Sequence, residues 1–314
     1  MTKKPLVIIS GPTGVGKTEI SVKLAKMVNG SIISADSMQV YKGFDIGTAK
    51  TMPHEMDGIK HYLIDELEPT EEFSVYEFKT RAKKYVEEIL SENKLPIIVG
   101  GTGFYIQSVL YDIDFTEEET DTEYRRILQE KAECFGAEYL HNLLSEADPE
   151  SAKAIHPNNI KRVIRALEYY HETGERISEH NERERARMSP YNFAYFVLNR
   201  SRDEVYSRID KRVDKMISEG LVSEVKGLLD SGVPKECLAM QGLDYKDIVT
   251  YLEGKITLDE AIRLLKLNTR HFAKRQLTWF RRERDVSWLD YGDFDSQDSM
   301  LLRMTEILAE KGIV

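Results

Sequence analysis

Cysteine is scarce in this 314-residue chain, which contains Cys134 and Cys237 and places neither of them in a C-x-x-C pair or a histidine cluster. A zinc site is therefore not expected, and a reducing cytosol is the natural compartment. The chain also lacks an apolar run of about 18 residues, and its first residues lead directly into a predicted strand. We therefore expect a cytoplasmic protein with no membrane span and no signal peptide.

An excess of positive charge is missing as well. The net charge is −10, with 44 basic and 54 acidic residues, which argues against a protein that coats nucleic acid indiscriminately. A local basic surface is compatible with this balance, because a contiguous patch is what binds phosphates. Residues 270–284 carry such a run, whereas the acidic run at 114–123 is interpreted as a solvated face. The 41% hydrophobic content indicates a globular chain of one or two domains.

Residues 6–18, LVIISGPTGVGKT, contain the strongest motif in the chain. An apolar run precedes a segment that fits G-x-x-x-x-G-K-[ST] at every fixed position, and an amphipathic helical pattern follows it. This order predicts a buried strand, a glycine-rich loop with inward N–H groups and a helix N-terminus, which together form an anion site. In such a loop Lys17 reaches the terminal phosphates and the Thr18 hydroxyl holds Mg²⁺. The motif predicts a bound polyphosphate or diphosphate without identifying the reaction.

A second predicted strand, residues 31–36, ends in Asp36. Ligands of open α/β sheets bind beyond the carboxyl ends of the strands, so Asp36 is expected beside the phosphate loop. An aspartate in this place also commonly caps a helix or forms an Asx turn. The residues alone leave both interpretations open.

Strands and helices continue to alternate along the chain, which predicts parallel βαβ units. Residues 61–65 and 96–100 are predicted strands, and residues 74–92 are a predicted helix with Ser74 as its N-cap. The strand at 96–100 runs into Gly-Gly-Thr, where a P-loop ATPase or GTPase usually has an acid that holds Mg²⁺. The missing acid disfavours a nucleotide-hydrolysing motor or switch. The glycines indicate that a ligand approaches the backbone closely.

Residues 114–188 show helical patterns only, mainly at 122–135, 137–146 and 158–172. We interpret them as an all-helical insertion in an α/β core formed by residues 1–113 and 189–314.

The sheet resumes at residues 195–199, and a predicted helix follows at 202–217. On that helix Arg208 and Arg212 are spaced i, i+4 and share a face. They are either surface arginines paired with nearby acids or a guanidinium pair that clamps a diphosphate. The acids in question are Glu204, Asp210 and Asp214.

Residues 258–284 form a long predicted amphipathic helix. Its predicted buried stripe consists of Leu264, Leu267, Ala273, Leu277 and Phe280. Its predicted basic face consists of Arg270, Lys274, Arg275 and Arg281.

The chain resembles the bacterial tRNA dimethylallyltransferases, also called tRNA isopentenyltransferases, over nearly its whole length. The segments that carry the resemblance are GPTGVGKT (11–18), DSMQVYKGFDIGTAK (36–50), GGTGFY (100–105), HPNNIKRVIRALE (156–168), RIDKRV (208–213) and RHFAKRQLTWFR (270–281). The phosphate loop alone is shared with a vast superfamily that includes ATP-binding proteins, whereas the 36–50 segment is highly specific.

The resemblance implies a P-loop NTPase-like α/β fold, in which helices flank a parallel sheet and a helical domain is inserted for tRNA binding. It also implies transfer of a dimethylallyl group from dimethylallyl diphosphate to N6 of adenosine 37, in tRNAs that read codons beginning with U. The products are N6-dimethylallyladenosine and diphosphate, the cofactor is Mg²⁺, and the expected state is a monomer.

The resemblance also implies roles for individual residues. The loop that would bind diphosphate instead of ATP consists of Gly11, Pro12, Thr13, Gly14, Val15, Gly16, Lys17 and Thr18. Lys17, Arg208 and Arg212 would neutralise the leaving diphosphate. Thr18 would place Mg²⁺, and Asp36 would take the proton from the attacking N6.

A further set of residues matches positions where the family contacts tRNA. They are Asp36, Ser37, Met38, Gln39, Thr102, Arg125, Lys161, Arg162, Val163, Ile164, Arg165, Ala239, Met240, Gln241 and Gly242. The target base must be flipped out of its stacked loop to reach Asp36. The basic helices would hold the anticodon stem by its phosphates.

The chain departs from the family in two respects. Asp244-Tyr245 occupies a place where the family commonly has Gly-Tyr, and the zinc finger of eukaryotic members is absent. Three other functions remain as alternatives: a P-loop small-molecule kinase, an adenylate isopentenyltransferase, and a nucleic-acid-binding module whose loop is only a structural anion site. The missing Mg²⁺-binding acid argues against the kinase, and the helical insertion argues against the adenylate isopentenyltransferase. Asp36 argues against the binding module.

Overall fold

The computed structural model describes residues 3–115 and 122–314, so most of the acidic run at 114–123 lies outside the described residues. The chain divides into two compact units. The first contains the described residues up to Leu110 together with those from Pro190 onward, and the second contains the described residues from Tyr111 to Ser189.

The first unit is built on a six-stranded sheet in the order β3-β2-β4-β1-β5-β6, and every neighbouring pair of strands is parallel. The strands are β1 (Lys4–Ser10), β2 (Gly30–Ser34), β3 (His61–Tyr62), β4 (Leu95–Gly100), β5 (Tyr191–Asn199) and β6 (Val286–Asp290). Strand β1 lies between β4 and β5, and its residues from Leu6 to Ser10 are fully buried. A strand covered on both faces requires the continuous apolar run that the sequence provides there.

Helices cover both faces of this sheet. They are α1 (Lys17–Met27), α2 (Pro53–Met56), α3 (Val75–Ser91) and α4 (Gly103–Leu110) before the second unit, and α10 (Arg202–Glu219), α11 (Leu221–Asp230), α12 (Leu243–Leu252), α13 (Leu258–Phe280) and α14 (Gln297–Glu310) after it. On one face α1 and α14 share an apolar cluster with the sheet, which includes Ile9, Leu24, Ile97 and Met304. The hydrophobic core thereby fixes α1, and with it the loop that precedes α1.

The second unit is helical throughout its described residues. Its helices are α5 (Thr122–Phe135), α6 (Ala137–Ala147), α7 (Pro149–Ala154), α8 (Ile160–Thr173) and α9 (Ile177–Ala186). Leu128, Leu140, Leu144 and Val163 belong to its separate apolar cluster. The buried Asp148 carboxylate accepts hydrogen bonds from the N–H and hydroxyl groups of both Ser151 and Ser178, and so ties α7 to α9.

Two predicted elements differ from the structure, and one strand of the sheet was not predicted. Strand β3 ends at Tyr62, well before the predicted residue 65, because Leu63 and Asp65 turn the backbone with φ of 61° and 55°. Helix α13 buries Ala261, Leu265, Thr269, Ala273, Gln276 and Phe280, whereas Leu267 of the predicted stripe is exposed. The predicted stripe is confirmed at Ala273 and Phe280 and wrong at Leu267, because α13 also packs polar side chains against the site described below. Strand β6 was not predicted.

Among the described residues, no helix has both the length and the apolar character that crossing a bilayer requires.

Candidate active site

The phosphate loop connects β1 to α1 at the carboxyl edge of the sheet. Gly14 and Gly16 adopt positive φ of 79° and 106°, and Gly16 is the N-cap of α1. Side chains rarely allow these conformations, so glycine is required for the tight turn. The turn leaves the unpaired N–H groups of the first helical turn at the loop, which is the arrangement that binds phosphate.

The Lys17 ammonium group points back to its own loop. It donates hydrogen bonds to the carbonyl oxygens of Gly11 (2.9 Å) and Pro12 (3.0 Å). Burial and, to a smaller extent, the charge of Arg212 lower the pKa of Lys17 to about 7, and the charge of Asp36 opposes both effects. An anion bound at the loop would favour the charged form of this amine.

Two arginines of α10 reach the same loop. Arg208 donates from Nε to the Gly14 carbonyl oxygen (2.6 Å), and Arg212 donates from Nη1 to the Thr13 hydroxyl (3.2 Å). Burial lowers the pKa of Arg212, while Asp244 raises it. Both guanidinium groups remain charged at physiological pH and face the phosphate loop.

The acids of α10 are paired elsewhere. Asp210 forms an ion pair with Arg270, Asp214 with Lys266, and Glu204 with Arg200. The interpretation of Arg208 and Arg212 as surface residues paired with these acids is therefore wrong.

Asp36 lies just beyond β2 and forms a turn. Its Oδ1 accepts hydrogen bonds from the N–H groups of Met38 (2.9 Å) and Gln39 (3.3 Å), which is an Asx-type arrangement. Asp36 also lines both cavities beside the phosphate loop. The structural and functional interpretations are thus compatible, because the turn holds the carboxylate at the cavity wall.

Two cavities adjoin the loop. The larger has a volume of about 300 Å³, and its polar lining includes Thr13, Asp36, Thr102, Arg212, Asp244, Arg275 and Gln276. Its apolar lining includes Met38, Val213, Met216, Leu243 and Phe272. The smaller, of about 50 Å³, is lined by Lys17, Thr18, Ser34, Asp36 and His61, among others. The larger cavity thus offers a charged end and an apolar wall in one space.

Gln276 of α13 is a site residue that the sequence analysis missed. Its Oε1 accepts a hydrogen bond from the Thr13 N–H (2.8 Å), and its Nε2 donates to the Gly101 carbonyl oxygen (3.0 Å). The side chain therefore joins the phosphate loop to the turn that carries Thr102. The sequence signal that could have identified it is a polar residue at the helical spacing of the buried positions of α13.

The glycines after β4 serve close packing within the chain. A Cβ atom at Gly100 would collide with the backbone of Ala35, one at Gly101 with Gln276, and one at Gly103 with Trp279. This packing explains the glycines, and Gly100 also lines a cavity beside the phosphate loop, so close approach of a ligand stays a prediction. The neighbours are the segment that carries Asp36 and the helix that carries Gln276.

Asp244 is a second carboxylate in the larger cavity. The pKa of Asp244 is raised to about 7, mainly by burial and also by the charge of Asp36, whereas Arg212 opposes the increase. Because it begins α12 beside the segment 239–242, it places a titratable group next to the expected tRNA contacts.

The predicted tRNA contacts of the first unit have different surroundings. Ser37, Met38, Thr102 and Gly242 line the larger cavity. The Gln39 amide donates to the carbonyl oxygens of Thr48 and Ala49, and the Gln241 amide donates to Lys235. Ala239 and Met240 are fully buried, so neither residue is accessible to RNA in this structure.

In the second unit, Lys161, Arg162 and Arg165 are exposed on α8. Val163 and Ile164 are buried in the apolar cluster of that unit, so their side chains are not free to contact RNA. Arg125 forms two hydrogen bonds with the buried Glu168 carboxylate, from Nε (2.6 Å) and Nη2 (2.8 Å). That pairing gives Arg125 a structural role within the unit.

Comparison with known proteins identifies the family. The profile described as IPP transferase matches residues 39–283, which is most of the chain. This chain belongs to the IPP transferase family.

Its relatives in that family match it from end to end. The tRNA dimethylallyltransferase of Lachnoclostridium phytofermentans is 59% identical over 311 residues, which cover 99% of each chain. The tRNA dimethylallyltransferase of Acetivibrio thermocellus is 50% identical over 308 residues, which cover 98% of each chain.

Solved structures of the family have the same fold. The full-length tRNA isopentenylpyrophosphate transferase of Bacillus halodurans is 46% identical, with a TM-score of 0.75 and coverage of 98% of this chain and 97% of that one. A eukaryotic dimethylallyltransferase, captured acting on tRNA, is 29% identical, with a TM-score of 0.83 and coverage of 98% of this chain and 80% of that one. The predicted family and the predicted α/β fold class, with its parallel sheet, are confirmed.

Proposed function

We propose that this enzyme transfers a dimethylallyl group from dimethylallyl diphosphate to N6 of adenosine 37 in tRNAs that read codons beginning with U. The products are N6-dimethylallyladenosine and diphosphate. The observation that carries this proposal is the placement of Asp36 in one cavity with Arg212 and Thr13 of the phosphate loop, in a chain of the IPP transferase family. Relatives are named for tRNA, which favours tRNA over free adenylate as the acceptor.

The leaving group explains the charges around the phosphate loop. In the reaction, the adenine N6 forms a bond to C1 of the dimethylallyl group, and the C1–O bond breaks with its electrons leaving on diphosphate. Lys17, Arg208 and Arg212 lie where they would stabilise that growing negative charge. The apolar wall of the larger cavity suits the dimethylallyl chain.

Asp36 is the proposed acceptor of the N6 proton. An exocyclic amine is a weak nucleophile, and a carboxylate within hydrogen-bonding reach removes the proton as the new bond forms. The hydrogen bonds from Met38 and Gln39 fix the Asp36 carboxylate before substrate arrives. Such preorganisation is what a catalytic base requires.

Mg²⁺ is the proposed cofactor, and the residues present fit it. Thr18 brings a hydroxyl oxygen to the smaller cavity, and Mg²⁺ prefers oxygen ligands, commonly together with substrate phosphates and water. Among the described residues, no group of three or more histidine, cysteine or acidic side chains forms a metal cluster, so diphosphate oxygens would complete the coordination. When bound, Mg²⁺ would neutralise charge on the diphosphate.

Each unit contributes basic residues for tRNA. Lys161, Arg162 and Arg165 are exposed on one helix of the second unit. Arg275 lines the larger cavity of the first unit. Contacts of this kind bind phosphates without reading sequence, so the base that is prenylated is selected where it is flipped into the cavity.

The test is incubation of the enzyme with Mg²⁺, labelled dimethylallyl diphosphate and unmodified tRNA, followed by nucleoside analysis. We expect labelled N6-dimethylallyladenosine from tRNAs with adenosine 37. A matched tRNA with guanosine at position 37 should remain unlabelled. Label on another nucleoside, or on free AMP in preference to tRNA, would contradict the proposal.

A further inference from the structure

Asp36 lies in a long irregular segment that needs support from elsewhere. Residues 35–52 connect β2 to α2 without a helix or a strand, apart from an isolated bridge between Tyr41 and Leu67. Irregular segments of this length are otherwise uncommon in compact domains, and they hold catalytic geometry only when polar contacts anchor them. One anchor is internal, because the buried Lys50 side chain pairs with Asp45 and Asp65.

The second anchor comes from α11. Glu224 Oε2 accepts hydrogen bonds from the backbone N–H groups of Asp45 (3.1 Å) and Ile46 (2.7 Å). Glu224 Oε1 accepts from the N–H of Gly47 (3.1 Å) and from the hydroxyl of Tyr245 (2.7 Å). Three consecutive N–H groups thus converge on one carboxylate, which is the geometry of an anion-binding backbone nest.

Tyr245 extends this anchor into the cavity. Its ring lies 4.7 Å from that of Phe44, centroid to centroid, and it packs so closely on Gly47 that a Cβ there would overlap the ring. Tyr245 and Gly47 both line the larger cavity. Burial raises the pKa of the Tyr245 hydroxyl, and Glu224 raises it further, so that the hydroxyl stays a donor.

The anchored backbone is joined to Asp36 through Gln39. The Gln39 amide donates to the carbonyl oxygens of Thr48 (3.3 Å) and Ala49 (3.2 Å), directly after the stretch that Glu224 holds. The Gln39 N–H is also one of the two that fix the Asp36 carboxylate. A continuous path of hydrogen bonds and short backbone stretches therefore runs from α11 to the proposed base.

We propose that Glu224, with Tyr245 as its partner, is a positioning residue that sets the place of the Asp36 carboxylate and of the cavity wall at Gly47 and Thr48. The inference rests on the proposed function, because Asp36 is the group that is positioned. Glu224 acts on the chemical step and not on the diphosphate, since its four hydrogen bonds go to residues 45–47 and Tyr245.

Glu224→Gln tests this role. The amide keeps the size of the side chain but replaces one of the two acceptor oxygens with an NH₂ donor. The backbone N–H groups that faced that oxygen therefore lose their acceptor. We expect kcat for prenyl transfer to fall about 10- to 100-fold, while the inhibition constant of inorganic diphosphate stays within about twofold. Asp230→Asn removes the same charge from the exposed end of α11 and is the matched control, with kcat unchanged. A merely structural role would weaken diphosphate binding together with kcat.

The Tyr245→Phe variant provides a second test, which can be made even if Glu224→Gln fails to fold. It removes one of the four hydrogen bonds and keeps the ring on Phe44, so we expect kcat to fall about 3- to 10-fold. The double variant should lose less than the product of the single losses, because both act through one carboxylate.

Either variant with wild-type kcat, or with diphosphate inhibition weakened as much as kcat, overturns the inference. Failure of the proposed function itself is distinguishable from these outcomes, since the wild type and Asp230→Asn would then also lack prenyl transfer.

Discussion

Several charged residues meet at this site, and a bound anion would balance their excess of positive charge. Lys17, Arg208 and Arg212 converge on a loop whose own carbonyl and hydroxyl groups are their hydrogen-bond partners. Asp36 and Asp244 face the same cavity as Arg212. Desolvated charges of this kind are costly to keep unless they serve a function.

The Asp36→Asn variant distinguishes the role of Asp36 as a base from its role in the turn. The amide oxygen still accepts the Met38 and Gln39 N–H groups, but the side chain no longer takes a proton. We expect kcat to fall about 10²- to 10⁴-fold, the usual contribution of a general base, with the dissociation constant of tRNA within about twofold. Single-turnover prenylation and filter binding measure the two quantities. Lost tRNA binding with normal turnover would show that Asp36 is an anchor and not the base.

Asp244→Asn tests the buried carboxylate through pH. The pKa of Asp244 is about 7 in the folded protein, against an ordinary 3.8. Between these values the folded state binds more protons than the unfolded state, so the free energy of unfolding decreases as pH rises. Asparagine avoids that loss and should stabilise the unliganded protein by about 1–3 kcal/mol at pH 8, with little effect near pH 4. Urea unfolding at several pH values measures the difference, and Asp230→Asn is the control. Parallel curves for Asp244→Asn and wild type would contradict the raised pKa.

The sequence predicted the charged residues of the site better than the residues that hold them. Lys17, Thr18 and Asp36 lie at motif positions after strands, and the order of strands alone brings them to one sheet edge. Gln276 and Glu224 were missed because their backbone partners lie between 175 and 263 residues away along the chain. Only the packed structure shows which backbone N–H groups need an acceptor.

At the scale of elements, the strongly periodic segments were predicted well. Strands β1 and β4 and helices α3 and α10 lie close to their predicted ranges, because their apolar patterns match one buried surface. Ser74 is the N-cap of α3, as predicted, and accepts a hydrogen bond from the Glu77 N–H. The buried stripe of α13 was predicted only in part, because a helix that borders an active site buries polar groups such as Thr269 and Gln276. A pattern of apolar residues does not predict a buried face that is partly polar.

Helix α8 is expected to bind RNA by charge alone. Lys161→Ala combined with Arg165→Ala should raise the KM for tRNA and reduce the slope of log affinity against log salt by about 1 to 2, as loss of phosphate contacts does. Titrations between low and moderate salt measure the slope. Lys153→Ala, on the exposed surface of α7 in the same unit, is the matched control. An unchanged slope in the double variant would remove α8 from the RNA interface.

On the scale of the whole molecule, a net charge of −10 coexists with a proposed tRNA substrate. The two are compatible, because the positive charge proposed to contact tRNA is concentrated around the phosphate loop, on α8 and on α13. General attraction to nucleic acid is weak in such a protein, and recognition depends on the base that enters the cavity. The fold contributes a common phosphate loop, and the proposed chemistry depends on the carboxylate placed beside it.

The phosphate loop is proposed to hold a departing diphosphate and not a phosphoryl donor. The most direct measurement is the stoichiometry of the reaction with Mg²⁺, dimethylallyl diphosphate and unmodified tRNA, with and without ATP. We predict one diphosphate released for each N6-dimethylallyladenosine formed, at the same rate without ATP and with added ATP left intact. A requirement for ATP, or ADP formed in step with product, would contradict the account.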